Sequence, residues 1–459
     1  MAKQKQLTAA DRAKIAARII QKTFPQIDFS LHITKAEYRR RWQSVQAAMK
    51  AKGYTAGYAC GSELDRSDAA WLAGVYDPII ERYGVLLPVE GKPVILAGSE
   101  GGHVLEDAAD QSGADIALMR EFQISDEDYR HAHFEKFDDI LKAAGLVGQQ
   151  KLAIFSSAEF LPLAHHRLLI SRFGEGNLTF DEALLQRIKY VKSLKELRIC
   201  QQANLVADAA FRAILAVLRP GVMEVAAAGV GEYVLRELGA HRFGFPTIIT
   251  SGDRNFTVIG PASTKKVEQG DVVSIGLSPT WRGYHGIIRR TVRVGVDFTP
   301  LQRQFVEGVE GLYHVVMQHT IEAAKKNLPA KTIDQAGKRY LERLKLTTIR
   351  GNNVTPKEPY TFIHNTGCSE CQEGFGAVTP WSSEPMGQRV ALMIDVALLG
   401  FEHRGVPQFE CLYGVVEDAF WKNGRKVGVY NRFPLNVQHL VGNEQPLGKD
   451  VNPYHQALQ

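Results

Sequence analysis

The sequence predicts an α+β protein in two parts: a smaller three-layer α/β domain over residues 1–188 and a larger domain over residues 189–459. Three observations predict it. Between residues 54 and 180, short alternating apolar runs take turns with helix-like periodicity, the order of a layered α/β unit. From Ser193 the order changes to two long helices followed by strands, and it recurs after Pro300, as if one α+β unit were duplicated around a single antiparallel sheet. The 459 residues are 45% hydrophobic and 23% charged, enough to bury two cores without disulfide staples.

The elements follow in order. Thr8 caps a first helix whose apolar residues Ile15, Ala16, Ile19 and Ile20 share a face, and Pro25 stops it. A second helix opens at Thr34, with Glu37 placed for a capping box, and ends at Gly53. Residues 54–59 read as a strand, and 83–87 with 93–97 as a hairpin around Glu90-Gly91. Helices are expected over 103–111, 126–144 and 159–172, with strands over 151–155 and 178–180. Beyond them come helices over 193–219 and 224–239 and strands over 247–250, 271–277 and 284–296. Two further helices, 300–326 and 332–346, precede strands over 389–398 and 411–420.

Composition excludes several classes. With 55 Lys and Arg against 50 Asp and Glu, the net charge of +5 leaves no dense basic footprint for nucleic acid. Five cysteines are too few, and odd in number, for a secreted disulfide framework. No run approaches the roughly 20 apolar residues of a membrane span, and the first residues carry no signal-type apolar core. The expectation is a cytoplasmic protein acting on a small molecule, without a nucleic-acid or membrane partner. Walker, zincin and nucleophile-elbow motifs are absent.

Five segments, in order, resemble the creatinase/prolidase/methionine-aminopeptidase superfamily: IKYVKSLKEL (188–197), GDVVSIG (270–276), GYHGIIRRT (283–291), NTGC (365–368) and VVED (415–418). The resemblance implies a C-terminal pita-bread domain after a smaller N-terminal domain. It also implies a homodimer in which the N-terminal domain contributes to the partner's site. In that family Asp, Asp, His, Glu and Glu hold two divalent metals. The corresponding positions here are Gly276, Ile287, Cys368, Asp395 and Glu417. Two carboxylates and a thiol are a poor ligand set for a metal pair, so neither a metal nor any other cofactor is expected. Creatinase is a metal-independent member, but its catalytic His falls near Ile259 and its strand Glu at Arg289, so its substrate does not carry over.

Alternation along the strands then groups the candidates. If position 287 faces the pit, so do His285 and Arg289. Together with Cys368, Asp395 and Glu417 they would supply an imidazole, a thiol, two acids and a fixed cation. The catalytic candidates are therefore His285, Cys368, Asp395 and Glu417, with Arg82, Arg289 and Asn255 as substrate contacts. Cys368 and Cys371 form a Cys-x-x-Cys, for which His364 and Cys411 are the only further zinc ligands within reach of the pattern. The leading expectation is a metal-independent, creatinase-like hydrolase cleaving a C–N bond in a small amino-acid-like or guanidino compound. The alternatives are an Xaa-Pro metallopeptidase whose ligands lie elsewhere, a non-catalytic ligand- or peptide-binding descendant, and a lyase.

Overall fold

A computed structural model describes residues 6–369, 371–403, 405–444 and 451–458. The chain separates into two compact units. The smaller comprises His32–Val191 and Gly367–Phe375. The larger comprises the chain up to Leu31, Lys192–Thr366 and the chain from Gly376 onward. Residues 6–31, expected in the first domain, thus pack with the second, because the helix Ala9–Thr23 lies on the helices Leu194–Val217 and Glu224–Glu237.

The smaller unit is a six-stranded sheet of β1 (Ala56–Gly61), β2 (Tyr83–Pro88), β3 (Val94–Ala97), β4 (Asp115–Leu118), β5 (Leu152–Ile154) and β6 (Leu178–Phe180). The strand order is β4-β3-β2-β1-β5-β6, with β1–β2 and β2–β3 antiparallel and the other pairs parallel. Alternate residues of β1 serve two layers. Ala56, Tyr58 and Cys60 join a core with Phe137, Ile140 and Leu169 from helices on one face. Gly57 points the other way, where a Cβ would lie 2.2 Å from the Phe155 ring and 2.9 Å from Met49 Sδ. The helix expected over 126–144 shrinks to Phe137–Ala143, since residues 126–136 offer no apolar stripe to bury.

Within this core His165 is buried, its Nδ1 2.9 Å from the Tyr58 hydroxyl and its ring 4.5 Å from that of Phe122. Burial, and then the charge of Arg82, push its pKa down from 6.5 to about 4. The native state therefore binds fewer protons than the unfolded chain between those values, and stability rises with pH across that window. We expect roughly 2–3 kcal/mol to be lost on acidification from pH 7 to 4. His165→Gln should remove that slope in urea titrations at several pH values. An unchanged slope would refute the assignment.

A buried ion cluster holds the segment Gly367–Phe375 in this unit. Lys189 Nζ lies 2.9 Å from Asp68 and 3.3 Å from Glu373, and Phe375 packs edge-on against Tyr190 and under Arg187.

In the larger unit, capping boxes at Ser193/Glu196 and Thr299/Gln302 start the two longest helices, Leu194–Val217 and Pro300–Lys326. The second ends on Asn327 in the left-handed conformation. The strands are β7 (Arg242–Phe243), β8 (Ile248–Ser251), β9 (Val272–Leu277), β10 (Pro279–Trp281), β11 (Tyr284–His285), β12 (Ile288–Arg293), β13 (Leu346–Thr347), β14 (Asn353–Val354), β15 (Ile363–Asn365), β16 (Arg389–Leu399), β17 (Tyr413–Asn423) and β18 (Lys426–Val429). One antiparallel sheet runs β15-β16-β17-β12-β9-β8, with β18 added beside β17. Both long helices pack on it. The single strand expected over 284–296 is two: β11 joins β10 and β7 in a separate sheet, and β12 joins the main one. Among the described residues no helix is long and apolar enough to cross a membrane.

Candidate functional site

The register of the main sheet sets four residues in one row. Gly276 of β9 faces Arg289 of β12, Arg289 faces Glu417 of β17, and Glu417 faces Asp395 of β16. Directly paired residues point to the same side of a sheet, so these side chains share one face. His364 of β15 pairs with Met393, two residues before Asp395, and so joins that face. Tyr413, four residues before Glu417, shares it too.

The side chains meet around the Arg289 guanidinium. Its Nη1 lies 3.5 Å from both Asp395 Oδ2 and Glu417 Oε2 and donates to the Tyr360 hydroxyl at 3.1 Å. Its Nη2 donates to the Tyr413 hydroxyl at 2.8 Å and to the Val258 carbonyl at 3.0 Å. Tyr360 donates to Asp395 Oδ1 at 3.0 Å, and the two tyrosine hydroxyls are 2.6 Å apart. His364 Nε2 lies 3.6 Å from Glu417 Oε1. Val258 holds its carbonyl on Arg289 from a left-handed backbone, φ 63°, which a β-branched residue rarely adopts.

Burial sets the electrostatics. Asp395 is pushed up to about 7, by burial first and then by the neighbouring Glu417, with Arg289, His364 and Tyr360 acting against the shift. Burial works against the Arg289 charge as well. Tyr360, Tyr413, Asp395 and Glu417 outweigh it and hold its pKa above the ordinary value. Burial would also discharge His364, but its hydrogen bond and charge interaction with Glu417 win and raise it. Near neutral pH the site thus has a permanent cation, an acid able to exchange a proton, and two hydroxyl donors.

The donor set does not fit a pair of divalent ions. His364, Asp395 and Glu417 each offer a ligand atom, all within 4.8 Å of one another. Gly276 and Ile287 offer none, and the guanidinium already sits against both carboxylates. A divalent ion about 4 Å from it would be repelled by roughly 8 kcal/mol at an effective dielectric near 20.

The structure gathers Arg289, Asp395 and Glu417 of the expected set; His285 and Asn255 of the same unit make other contacts, and Cys368 and Arg82 belong to the smaller unit. His285 lies on β11, 3.4 Å from the Ser278 and Thr280 hydroxyls. Gly286 presses so close to helix Leu194–Val217 that a Cβ would lie 2.4 Å from the Ala203 carbonyl. The chain breaks out of the strand there, and the alternation that tied His285 to Arg289 does not carry through. Cys368 belongs to the smaller unit, where burial pushes its thiol up, partly offset by Arg41 and Lys189. It is therefore held as a thiol, which argues against a nucleophile. In the larger unit His364 lies against Glu417, and the Cys411 thiol donates to the Gln302 carbonyl. Asn255 is buried and structural, donating to the Tyr413 carbonyl at 3.0 Å and accepting from Thr250 at 2.9 Å. Arg82 is exposed on the smaller unit. Tyr360 and Tyr413 were missed. Tyr413 was legible from its even spacing to Glu417, whereas nothing local marks Tyr360.

Residues 198–381 match the family model described as metallopeptidase family M24. That match covers less than half of the chain; with its fold and the order of its motifs, the chain resembles the creatinase/prolidase/aminopeptidase superfamily. Among curated proteins it is similar to an Xaa-Pro dipeptidase of Pyrococcus horikoshii, 30% identical over 45% of this chain and 56% of the relative. The match thus spans about half the length of that relative. Among solved structures it is similar to the prolidase of Pyrococcus horikoshii OT3, with TM-score 0.67 and 20% identity over 88% of this chain and 100% of that one. A dipeptidase PepE from Mycobacterium ulcerans gives TM-score 0.66 and 18% identity over 89% and 99%.

Proposed function

We propose that the chain is a small-peptide hydrolase of Xaa-Pro dipeptidase descent that works from its carboxylate–arginine–tyrosine cluster without a metal pair. The observation that carries the reading is the facing pair Asp395 and Glu417, with Asp395 poised near neutrality beside fixed donors. Named relatives that are Xaa-Pro dipeptidases support the substrate class. In this reading a carboxylate takes a proton from water as its oxygen attacks the peptide carbonyl. Arg289, Tyr360 and Tyr413 donate to the developing oxyanion, and the proton passes to the departing nitrogen as the C–N bond breaks. The guanidino substrate and the thiol nucleophile have no such support.

A second reading, binding without turnover, is favoured by the contact of Arg289 with both carboxylates. A panel of Xaa-Pro dipeptides separates the two. Hydrolysis indifferent to a chelator and reduced at least about 100-fold in Asp395→Asn supports the first. Hydrolysis that appears only with added divalent metal overturns it in favour of a metallopeptidase. Saturable thermal stabilisation without turnover supports the second.

A further inference from the structure

We propose that Arg289 is the resident cation of this pit, standing in for divalent metal, and that Gly276 is the residue that lets it in. The pit would then exclude metal actively; loss of ligands alone would not achieve that. The inference rests on the metal-free part of the reading above and is independent of whether the pit hydrolyses anything.

The geometry links the two positions. Gly276 and Arg289 are direct partners across β9 and β12. A Cβ on residue 276 would lie 2.7 Å from Arg289 Cγ, 3.1 Å from Cδ and 3.2 Å from Nε. Any side chain there, a carboxylate included, would occupy the path of the arginine stem. Gly276 has no left-handed backbone that would call for glycine, so the requirement is space. Arg289 accepts a cost in taking this path, because its buried Nε finds no hydrogen-bond partner. The three contacts to Tyr360, Val258 and Tyr413 and both carboxylates converge on its two terminal nitrogens.

The remaining acids define what the cation displaces. His364, Asp395 and Glu417 keep one ligand atom each within 4.8 Å of one another, a set able to hold a single ion. The guanidinium neutralises two of the three at the place such an ion would take. One cation or the other can be accommodated, and arginine is covalently tethered.

The test measures metal and stability, not turnover. Wild-type protein is dialysed against Zn²⁺ or Mn²⁺ and its metal content determined beside Arg289→Met. The proposal expects a negligible metal content in wild type and about one equivalent in Arg289→Met, lost again when Glu417→Gln is added. Wild-type protein that holds a metal removed by Glu417→Gln overturns the proposal. So does an Arg289→Met protein that melts cooperatively and takes up none.

If that variant does not fold, the charge-neutral pair Arg289→Ala with Glu417→Gln, which removes the stem from Cγ outward, serves as the background for Gly276→Ala. The added methyl should lower the melting temperature of wild type by roughly 3–6 °C, and that of the charge-neutral background hardly at all. Equal losses in the two backgrounds would show that Gly276 does not serve Arg289.

Discussion

Replacing Arg290 by methionine is expected to destabilise the larger unit by about 3–5 kcal/mol, the usual cost of stripping one partner from a fully buried pair. Arg290 is the neighbour of Arg289 on β12 but points to the opposite face. Its Nη2 lies 2.8 and 3.1 Å from the two oxygens of Asp418, and neither side chain reaches solvent. The rest of the guanidinium donates to the carbonyls of Pro434, Arg289, Glu417 and Phe433 at 2.9–3.1 Å. Methionine keeps much of the volume but leaves a buried carboxylate without its cation and removes the hydrogen bonds that the guanidinium gives to four carbonyls. Asp418 would retain only Tyr313 at 2.7 Å and Asn452 at 3.0 Å. Urea unfolding should show the loss, and adding Asp418→Asn should recover part of it. A loss below about 1 kcal/mol would mean that the pair is not the internal brace described.

Lys189→Met should be similarly costly in the smaller unit, about 3–5 kcal/mol. Lys189 is 2% exposed and faces Asp68 and Glu373 together. Asp68 is already pushed up to about 6 by burial despite the lysine, so without it Asp68 is driven further toward its neutral form and Glu373 loses its contact with the cation. Glu373 lies in Gly367–Phe375, and that segment should respond most. Hydrogen exchange there should rise well above that of β1 and β2. Uniform acceleration across the unit would indicate general destabilisation and refute the specific tether.

Much of this organisation was legible in the sequence because it rests on local signals. The change of order at Ser193 and its recurrence after Pro300 marked the long helices, which the structure starts with capping boxes at Ser193 and Thr299. The order of five motifs pointed to the superfamily and to Glu417, the family comparison to Asp395 and strand alternation to Arg289, and the strand register brings the three together. What failed was inference across a break. Alternation from position 287 back to His285 assumes an unbroken strand, and the close approach of Gly286 to Ala203 interrupts it. Motif order also does not reveal that Lys189 and Phe375 contacts fold the segment of Cys368 into the smaller unit. Such pairings join residues far apart in sequence, and no local pattern encodes them. Tyr360 was invisible for the same reason, since only the fold brings it to Asp395.

The placement of Gly367–Phe375 has a consequence for the order of events during synthesis. The smaller unit is not complete when Val191 leaves the ribosome, because Glu373 emerges only after the whole of Lys192–Thr366. At about 5–20 residues per second, that delay is on the order of ten seconds or more. Throughout it, Lys189 and Asp68 must pair without their third member, and Phe375 cannot yet cover Tyr190. A nascent chain arrested before residue 367 should therefore be more open to proteases in the region of Lys189 than one arrested after Phe375, which makes the last stage of building the first-synthesised unit a late event.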